Sequence, residues 1–210
     1  MDTRAHIVQC AFRLFVQHSY KEVTLAQLTK AAGLSKGALY HYFDSKEHLF
    51  EAVVDTYFLS MQEKCYHGLA EAPSLHAYFY DYLTHMGTIF ESFGDIFQDE
   101  PLPVLNMYQL SFDAFRYLEG VSAKAQVQQA AEHVLWQAAI SRSMASGELR
   151  TDLDAAQLAK ILLSLLDGVA IRLVMEQRML DYAHELIPQF ESLYALIKHP
   201  NYVATVPNNP

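Results

Sequence analysis

TLAQLTKAAGLSKGALYHYFDSKEHLF, residues 24–50, decides the fold. Thr24 and Gln27 stand three apart at the head of an apolar-periodic run. That is a capping box: the hydroxyl takes an orphan amide and the glutamine reaches back. Leu25 and Leu28 give the helix one apolar side, and Gly33 ends it with the positive φ that a sharp reversal needs. Ser35 then caps a second helix, Lys36 to Tyr42. Asp44 and Glu47 form another D-x-x-E pair, expected to open a long helix over 46–64. Its apolar set is Leu49, Phe50, Val53, Val54, Tyr57, Phe58 and Met61. Upstream, Ile7, Cys10, Ala11, Leu14 and Phe15 recur at helical spacing up to about His18. Ile7, Leu14 and Phe15 can pack on Leu25, Leu28, Leu34, Leu39 and Phe43. Two short helices joined by a glycine turn and braced by a third make a helix-turn-helix.

The second helix suits a groove. Leu39 and Phe43 are one turn apart and point inward, which turns Lys36, Gly37, Ala38, Tyr40 and His41 to other faces. Small residues at Gly37 and Ala38 allow close approach to bases, and Lys36 can donate to guanine. Tyr40 and His41 can reach phosphate oxygens; Tyr42 fits either core or contact. Lys46, in the first turn of the next helix, and Thr24, at the start of the preceding one, are expected phosphate contacts. The expected DNA-binding set is therefore Thr24, Ser35, Lys36, Gly37, Ala38, Tyr40, His41 and Lys46. A formal net charge of −9 opposes a nucleic-acid partner only until it is divided. Residues 1–50 hold six bases against four acids, so the other 160 carry −11. The asymmetry suggests two modules with different partners.

Thr24, Ala32, Gly33, Ser35, Gly37, Tyr40, Tyr42, Phe43, Lys46, Glu47 and Leu49 fall where TetR/AcrR-type repressors carry T-x-x-x-I-A-x-x-A-G-V-S-x-G-x-x-Y-x-H/Y-F-x-x-K-E-x-L. The resemblance covers about the first 60 residues. Leu28-Thr29 replaces the usual Ile-Ala pair, putting a larger side chain at a tight helix contact. The resemblance implies an all-α protein of about nine helices. An N-terminal helix-turn-helix DNA-binding domain would be followed by a larger helical ligand-binding and dimerisation domain. The expected division is 1–48 and 49–199, linked by the helix over 46–64, with a loose tail over 200–210.

After Cys65 helices are expected at 73–93, 104–118, 122–146, 154–177 and 183–198. Pro73, the stretch from Gly94 to Pro103, Gly120 and Gly147 separate them, and Pro188 argues for a start nearer Ile187. The segment from Gly147 to Asp154, with Leu165 to Gly168, is similar to the late part of many members, where the last two helices form a dimer interface. Leu158, Leu162, Leu165, Val169 and Leu173, then Phe190, Leu193, Tyr194 and Ile197, supply two apolar stripes for a four-helix homodimer contact. Such stripes also close a chain's own core. Tyr66, Phe79, Tyr82, Met86, Phe90, Met107, Tyr108, Phe112, Trp136 and Ile140 are candidates for a pocket that takes a small apolar or aromatic effector. Asp81, Asp113 and Glu132 would admit a cationic one.

No cofactor or metal is expected. The ten histidines are scattered, with no H-x-x-x-H, H-E-x-x-H or Cys/His pair at ligand spacing. Neither a nucleophile elbow, a phosphate loop nor a Rossmann glycine pattern occurs, so an enzyme is not expected. The two cysteines fit buried thiols in a reducing cytoplasm. A signal peptide is not expected from the polar, mixed-charge residues Met1 to Gln9. Lys160, Asp167 and Arg172 interrupt the longest apolar run, which argues against a membrane span. The expectation is a cytoplasmic homodimeric regulator on a palindromic double-stranded operator. A protein partner in place of a small-molecule effector is the alternative.

Overall fold

A computed structural model of the chain describes residues 2–60, 65–66, 68–97 and 103–202. Among these residues there are nine α-helices: α1 Thr3–Gln17, α2 Leu25–Ala32, α3 Lys36–Tyr42, α4 Lys46–Val54, α5 Leu75–Phe97, α6 Val104–Tyr117, α7 Val121–Ala145, α8 Ala155–Met175 and α9 Tyr182–Ile197. The β contribution among them is one isolated bridge, Leu149 to Lys198. Three boundaries depart from the sequence reading. The helix expected over 46–64 is α-helical to Val54 and then takes a π turn, Asp55–Leu59; residues 61–64, including Met61, lie outside the described residues. Gly94 does not break α5, which runs on to Phe97. Pro188 lies inside α9, which starts at Tyr182. Burial of Leu186, Phe190, Tyr194 and Ile197 holds that helix across the missing amide. From Val203 the tail lies outside the described residues.

The chain forms two compact units: residues 1–65 with 87–128, and residues 66–86 with 129–210. The unit holding the helix-turn-helix thus extends well past residue 48. In it Ile7, Phe12, Phe15, Leu28, Leu39, Phe43, Leu49 and Phe50 are buried. Phe12 stacks on Tyr57 at 3.9 Å and meets Phe97 at 5.6 Å. α6 packs on α1 and α4, and its Asp113 carboxylate accepts the Tyr20 amide at 3.0 Å. The π turn is held from the first turns of α7. Lys124 Nζ lies 3.0 Å from Asp55 Oδ1, and Gln128 Nε2 donates to the Leu59 carbonyl at 2.7 Å.

The other unit is organised around a buried carboxylate. α7 ends at Gly147, whose φ is +79°. The amide of Gly147 bonds the Met144 carbonyl and that of Glu148 the Ser143 carbonyl, a Schellman turn. The turn delivers Glu148, fully buried, to the start of α5. Its oxygens accept the amides of Leu75 (3.0 Å) and His76 (3.2 Å) and the Tyr194 hydroxyl (2.9 Å). Ser74 Oγ takes the Ala77 amide and Ser143 Oγ shares that of Leu75. The orphan amides of the first turn of α5 are thereby paired, and the carboxylate sits at the positive end of the helix dipole. Burial, then the bond to Glu148, pushes the Tyr194 phenol up. Phe79 stacks on Phe190 at 3.6 Å, joining α5 to α9 in the same core.

Candidate functional site

The helix-turn-helix is fixed by local chemistry. Thr24 Oγ1 accepts the Gln27 amide at 3.3 Å, and Gln27 Oε1 accepts the Thr24 amide at 2.8 Å. Gly33, at φ +66°, closes α2 with a Schellman turn: its amide bonds the Lys30 carbonyl, and that of Leu34 the Thr29 carbonyl. Ser35 Oγ accepts the Ala38 amide at 3.2 Å and starts α3. Leu39 and Phe43 are buried beneath it. Thr24, Ser35, Lys36, Gly37, Tyr40 and His41 are exposed, and Ala38 is half-buried. Thr29 is accommodated by turning its hydroxyl onto the Ala26 carbonyl at 3.0 Å, while α2 stays packed on α1.

Two residues behave differently from their sequence reading. The cap of α4 is Ser45, whose Oγ accepts the His48 amide at 3.0 Å, rather than Asp44, which is almost fully exposed. Lys46 turns inward. Its ammonium donates to the Tyr20 carbonyl at 2.8 Å and the Val23 carbonyl at 3.0 Å, and lies 4.4 Å from the Tyr20 ring centre. Burial lowers its pKa. Tyr20 in turn stacks on Phe50 at 4.4 Å. Lys46 therefore clamps the loop that leads into α2, and no local signal pointed there, because its partners lie 23 and 26 residues away. Arg4, which the sequence reading did not single out, lies over the Phe43 ring at 5.1 Å.

The candidate pocket residues are divided between the two units. Phe90, Met107, Tyr108 and Phe112 belong to the first unit and the other six to the second. Phe112 is 64% exposed, so it lines no interior of its unit. Phe79 is committed to Phe190, and Ile140 is fully buried core. Met86 is half-exposed. Tyr66, Tyr82 and Trp136 do come together. Tyr66 stacks on Tyr82 at 5.8 Å, Tyr82 meets Trp136 edge-on at 5.7 Å, and Trp136 Nε1 donates to the Tyr66 hydroxyl at 3.4 Å. That hydroxyl donates to Glu132. Asp81 is exposed, whereas Glu132 is half-buried beside Tyr66.

The expected dimer residues need correction too. Leu158, Leu162, Val169, Leu173, Phe190, Tyr194 and Ile197 are buried within the chain, and Leu165 and Leu193 are half-buried. These stripes close the unit's own core. The outward side of α8 carries Ile161, Ser164, Gly168, Ile171 and Met175, spaced alternately by three and four residues, and Leu196 is exposed on α9. Contrary to the expectation of no such pair, His6 and Cys10 form a Cys/His pair one turn apart on α1; Sγ lies 3.6 Å from Nε2. Burial, partly offset by Arg13, raises the Cys10 thiol pKa, and the side chain is half-buried. Among the described residues no group of three or more His, Cys, Asp or Glu side chains is placed to hold a metal. No described helix is long and apolar enough to cross a membrane.

An exposed, capped recognition helix on a three-helix brace, followed by a helical body, defines the class of helix-turn-helix regulators. The family of bacterial regulatory proteins called tetR matches residues 7–53. The transcriptional regulator AcrR of Shigella flexneri is 40% identical over 52 residues, a match covering 25% of this chain and 24% of that protein. The match thus spans about a quarter of the length of that relative. The transcriptional repressor ComR of Escherichia coli is 30% identical over 165 residues, 77% of this chain and 74% of that protein. A solved complex of SmeT with triclosan is similar in fold at 20% identity and a TM-score of 0.66, covering 100% of this chain and 99% of that one. The chain belongs to the TetR family, whose members are transcriptional regulators and not enzymes.

Proposed function

We propose that the protein is a cytoplasmic homodimeric repressor that binds a palindromic operator through α3 and is governed by a small apolar or aromatic effector, cations included, held in its helical body. The observation that carries the reading is the recognition helix itself. Lys36, Gly37, Tyr40 and His41 are exposed on a helix whose opposite side, Leu39 and the following Phe43, is anchored. Two copies place two such helices one duplex turn apart, about 34–36 Å, and so read a palindrome. The effector weakens binding by favouring a state in which that spacing is lost. SmeT's complex with triclosan supports the idea that this fold holds such molecules. An electrophoretic shift on the DNA upstream of the gene tests the reading. A sequence-selective, salt-sensitive shift is expected; a shift equal on unrelated DNA overturns it.

The dimer is assigned to the outward side of α8 and α9. Ile171→Asp, at a 42% exposed position, is expected to leave a folded monomer at micromolar concentration in sedimentation, with operator affinity lost. A variant that sediments as a dimer removes this face from the interface.

Lys46 supports operator binding by positioning rather than by touching phosphate. Lys46→Met is expected to cost about 1–2 kcal/mol of stability, because two carbonyls lose a charged donor. The slope of log affinity against log salt is expected to be unchanged, whereas loss of a true phosphate contact lowers it by roughly one per protomer. A slope reduced by that amount restores the phosphate role.

A protein partner in place of a small molecule is the second reading. It is favoured by the exposed Leu105, Phe112 and Phe115 along α6. A thermal-shift ligand screen separates the two.

A further inference from the structure

Arg4 lies in the first turn of α1 and is exposed. Its guanidinium carbon sits 5.1 Å from the centre of the Phe43 ring. Phe43 closes α3 and is 1% exposed, and His48 of α4 meets the same ring edge-on at 5.4 Å. A guanidinium set over an aromatic face is attracted to it, and its planar fork of donors is ordered before any ligand arrives. α1 thus brings a cation to the end of the recognition helix. Lys36 supplies one at its start, with Nζ 5.8 Å from the Tyr40 ring centre.

The charge is badly placed for the helix that carries it. The amino end of a helix is its positive pole, which acids stabilise and cations do not. The first turn of α1 contains no acid, and Asp2, at its cap, accepts the Arg4 amide at 3.3 Å. Asp44, next to Phe43 in the chain, lies 3.6 Å from His48 Nδ1 and is 95% exposed. These two carboxylates are directed at an amide and an imidazole. Lys46 spends its ammonium on two carbonyls, whereas Arg4 stays open to solvent at the edge of α3. A preordered cation kept at the positive end of a helix is suited to an anion outside the chain. In the proposed complex the anions that flank α3 are the phosphates of the duplex.

We infer that Arg4 is a DNA-contacting residue outside the two helices of the helix-turn-helix: Phe43 seats its guanidinium beside the end of α3, from where it forks onto a backbone phosphate of the operator. Arginine matches a phosphate with two parallel N–H donors, which lysine does not. Such a contact adds affinity and fixes orientation without reading bases. The inference rests on the reading that α3 binds an operator.

The full-length protein and its Arg4→Gln and Arg4→Lys variants are titrated over a range of salt concentrations. The probes are the DNA upstream of the gene and an unrelated duplex of equal length. Arg4→Gln is expected to lower the slope of log affinity against log salt by roughly one per protomer, about two for the dimer. The affinity at about 0.1 M salt is expected to fall on the order of tenfold on both duplexes, so that their ratio stays within threefold. Arg4→Lys keeps the charge and is expected to keep the slope, with an affinity loss of severalfold from the missing fork. The Tm of Arg4→Gln is expected to hold or rise, because a cation leaves the positive end of α1. A slope unchanged in Arg4→Gln overturns the inference. If the Tm falls as well, Arg4 serves only to cover Phe43. A loss confined to the upstream duplex also overturns it, since a phosphate contact is blind to sequence. If the parent itself gives no sequence-selective shift, the operator reading fails and this inference with it; a parent that shifts beside variants that match its slope removes the Arg4 contact alone.

Discussion

Glu148→Ala is expected to lower the stability of the protein by about 3 kcal/mol, read as a fall in Tm of roughly 6–12 °C. The size follows from what the carboxylate holds. Its removal leaves the His76 amide and the Tyr194 hydroxyl without their acceptor, and the Leu75 amide with Ser143 Oγ alone. All of these groups lie in a region where Glu148 itself has no exposed surface. Water does not replace the lost oxygens without opening the contact between the start of α5 and α9. The first turn of α5 also loses the negative charge that balances its dipole.

Two further variants separate the bonds from the bulk. Glu148→Gln keeps the shape but turns an amide nitrogen toward a donor, so about 2 kcal/mol is expected. Tyr194→Phe deletes a single bond, and about 1.5 kcal/mol is expected. If the alanine variant melts within about a degree of the parent, the carboxylate is not the joint described. If Glu148→Gln costs as much as Glu148→Ala, charge matters more than shape.

The sequence reading found the helix-turn-helix and missed this joint, and the difference lies in distance along the chain. Thr24 with Gln27, Gly33 with Lys30, and Ser35 with Ala38 are partners within three residues. Their chemistry is complete in the local string. Gly147-Glu148 reads locally as a polar turn, because the groups that bury Glu148 lie 46 to 73 residues away. The inward turn of Lys46 is not legible locally for the same reason, since its partners lie 23 and 26 residues away. Adjacent capping residues were a subtler failure: Asp44 and Ser45 can both cap, and only the path of the backbone chooses Ser45. The apolar stripes of α8 and α9 are expected at a dimer contact, but periodicity does not say against what a stripe packs, and most of these residues are buried within the single chain. Leu158 to Leu173 pack inward, and the outward seam of Ile161, Gly168, Ile171 and Met175 was passed over because it is interrupted by small and charged residues. Aromatic richness between residues 66 and 140 foretold a crowded interior. It did not foretell that Tyr66, Tyr82 and Trp136 would meet at Glu132 while Phe112 faces outward.

The largest functional effect is expected at Gly37. It lies in the first turn of α3, exposed, and a Cβ built there meets no atom of the protein within 4 Å. The fold therefore does not require glycine at this position; no left-handed φ is needed and no neighbour crowds it. Glycine also weakens a helix relative to alanine by up to about 1 kcal/mol. A residue that the fold tolerates at a cost points to something outside the chain, and the surface that approaches α3 in the proposed complex is DNA. Gly37→Ala is accordingly expected to hold or slightly raise the Tm while weakening operator binding. Gly37→Val adds branched bulk where the helix meets the groove, and it does so twice, once in each copy on the palindrome. An affinity loss on the order of 100-fold, about 2.7 kcal/mol, is expected from operator titrations, with the Tm changed by no more than a degree or two. The same titrations with nonspecific DNA are expected to change far less, because phosphate attraction tolerates a looser approach. Operator binding by Gly37→Val within threefold of the parent would place this turn away from the duplex and shift the reading surface toward Tyr40 and His41.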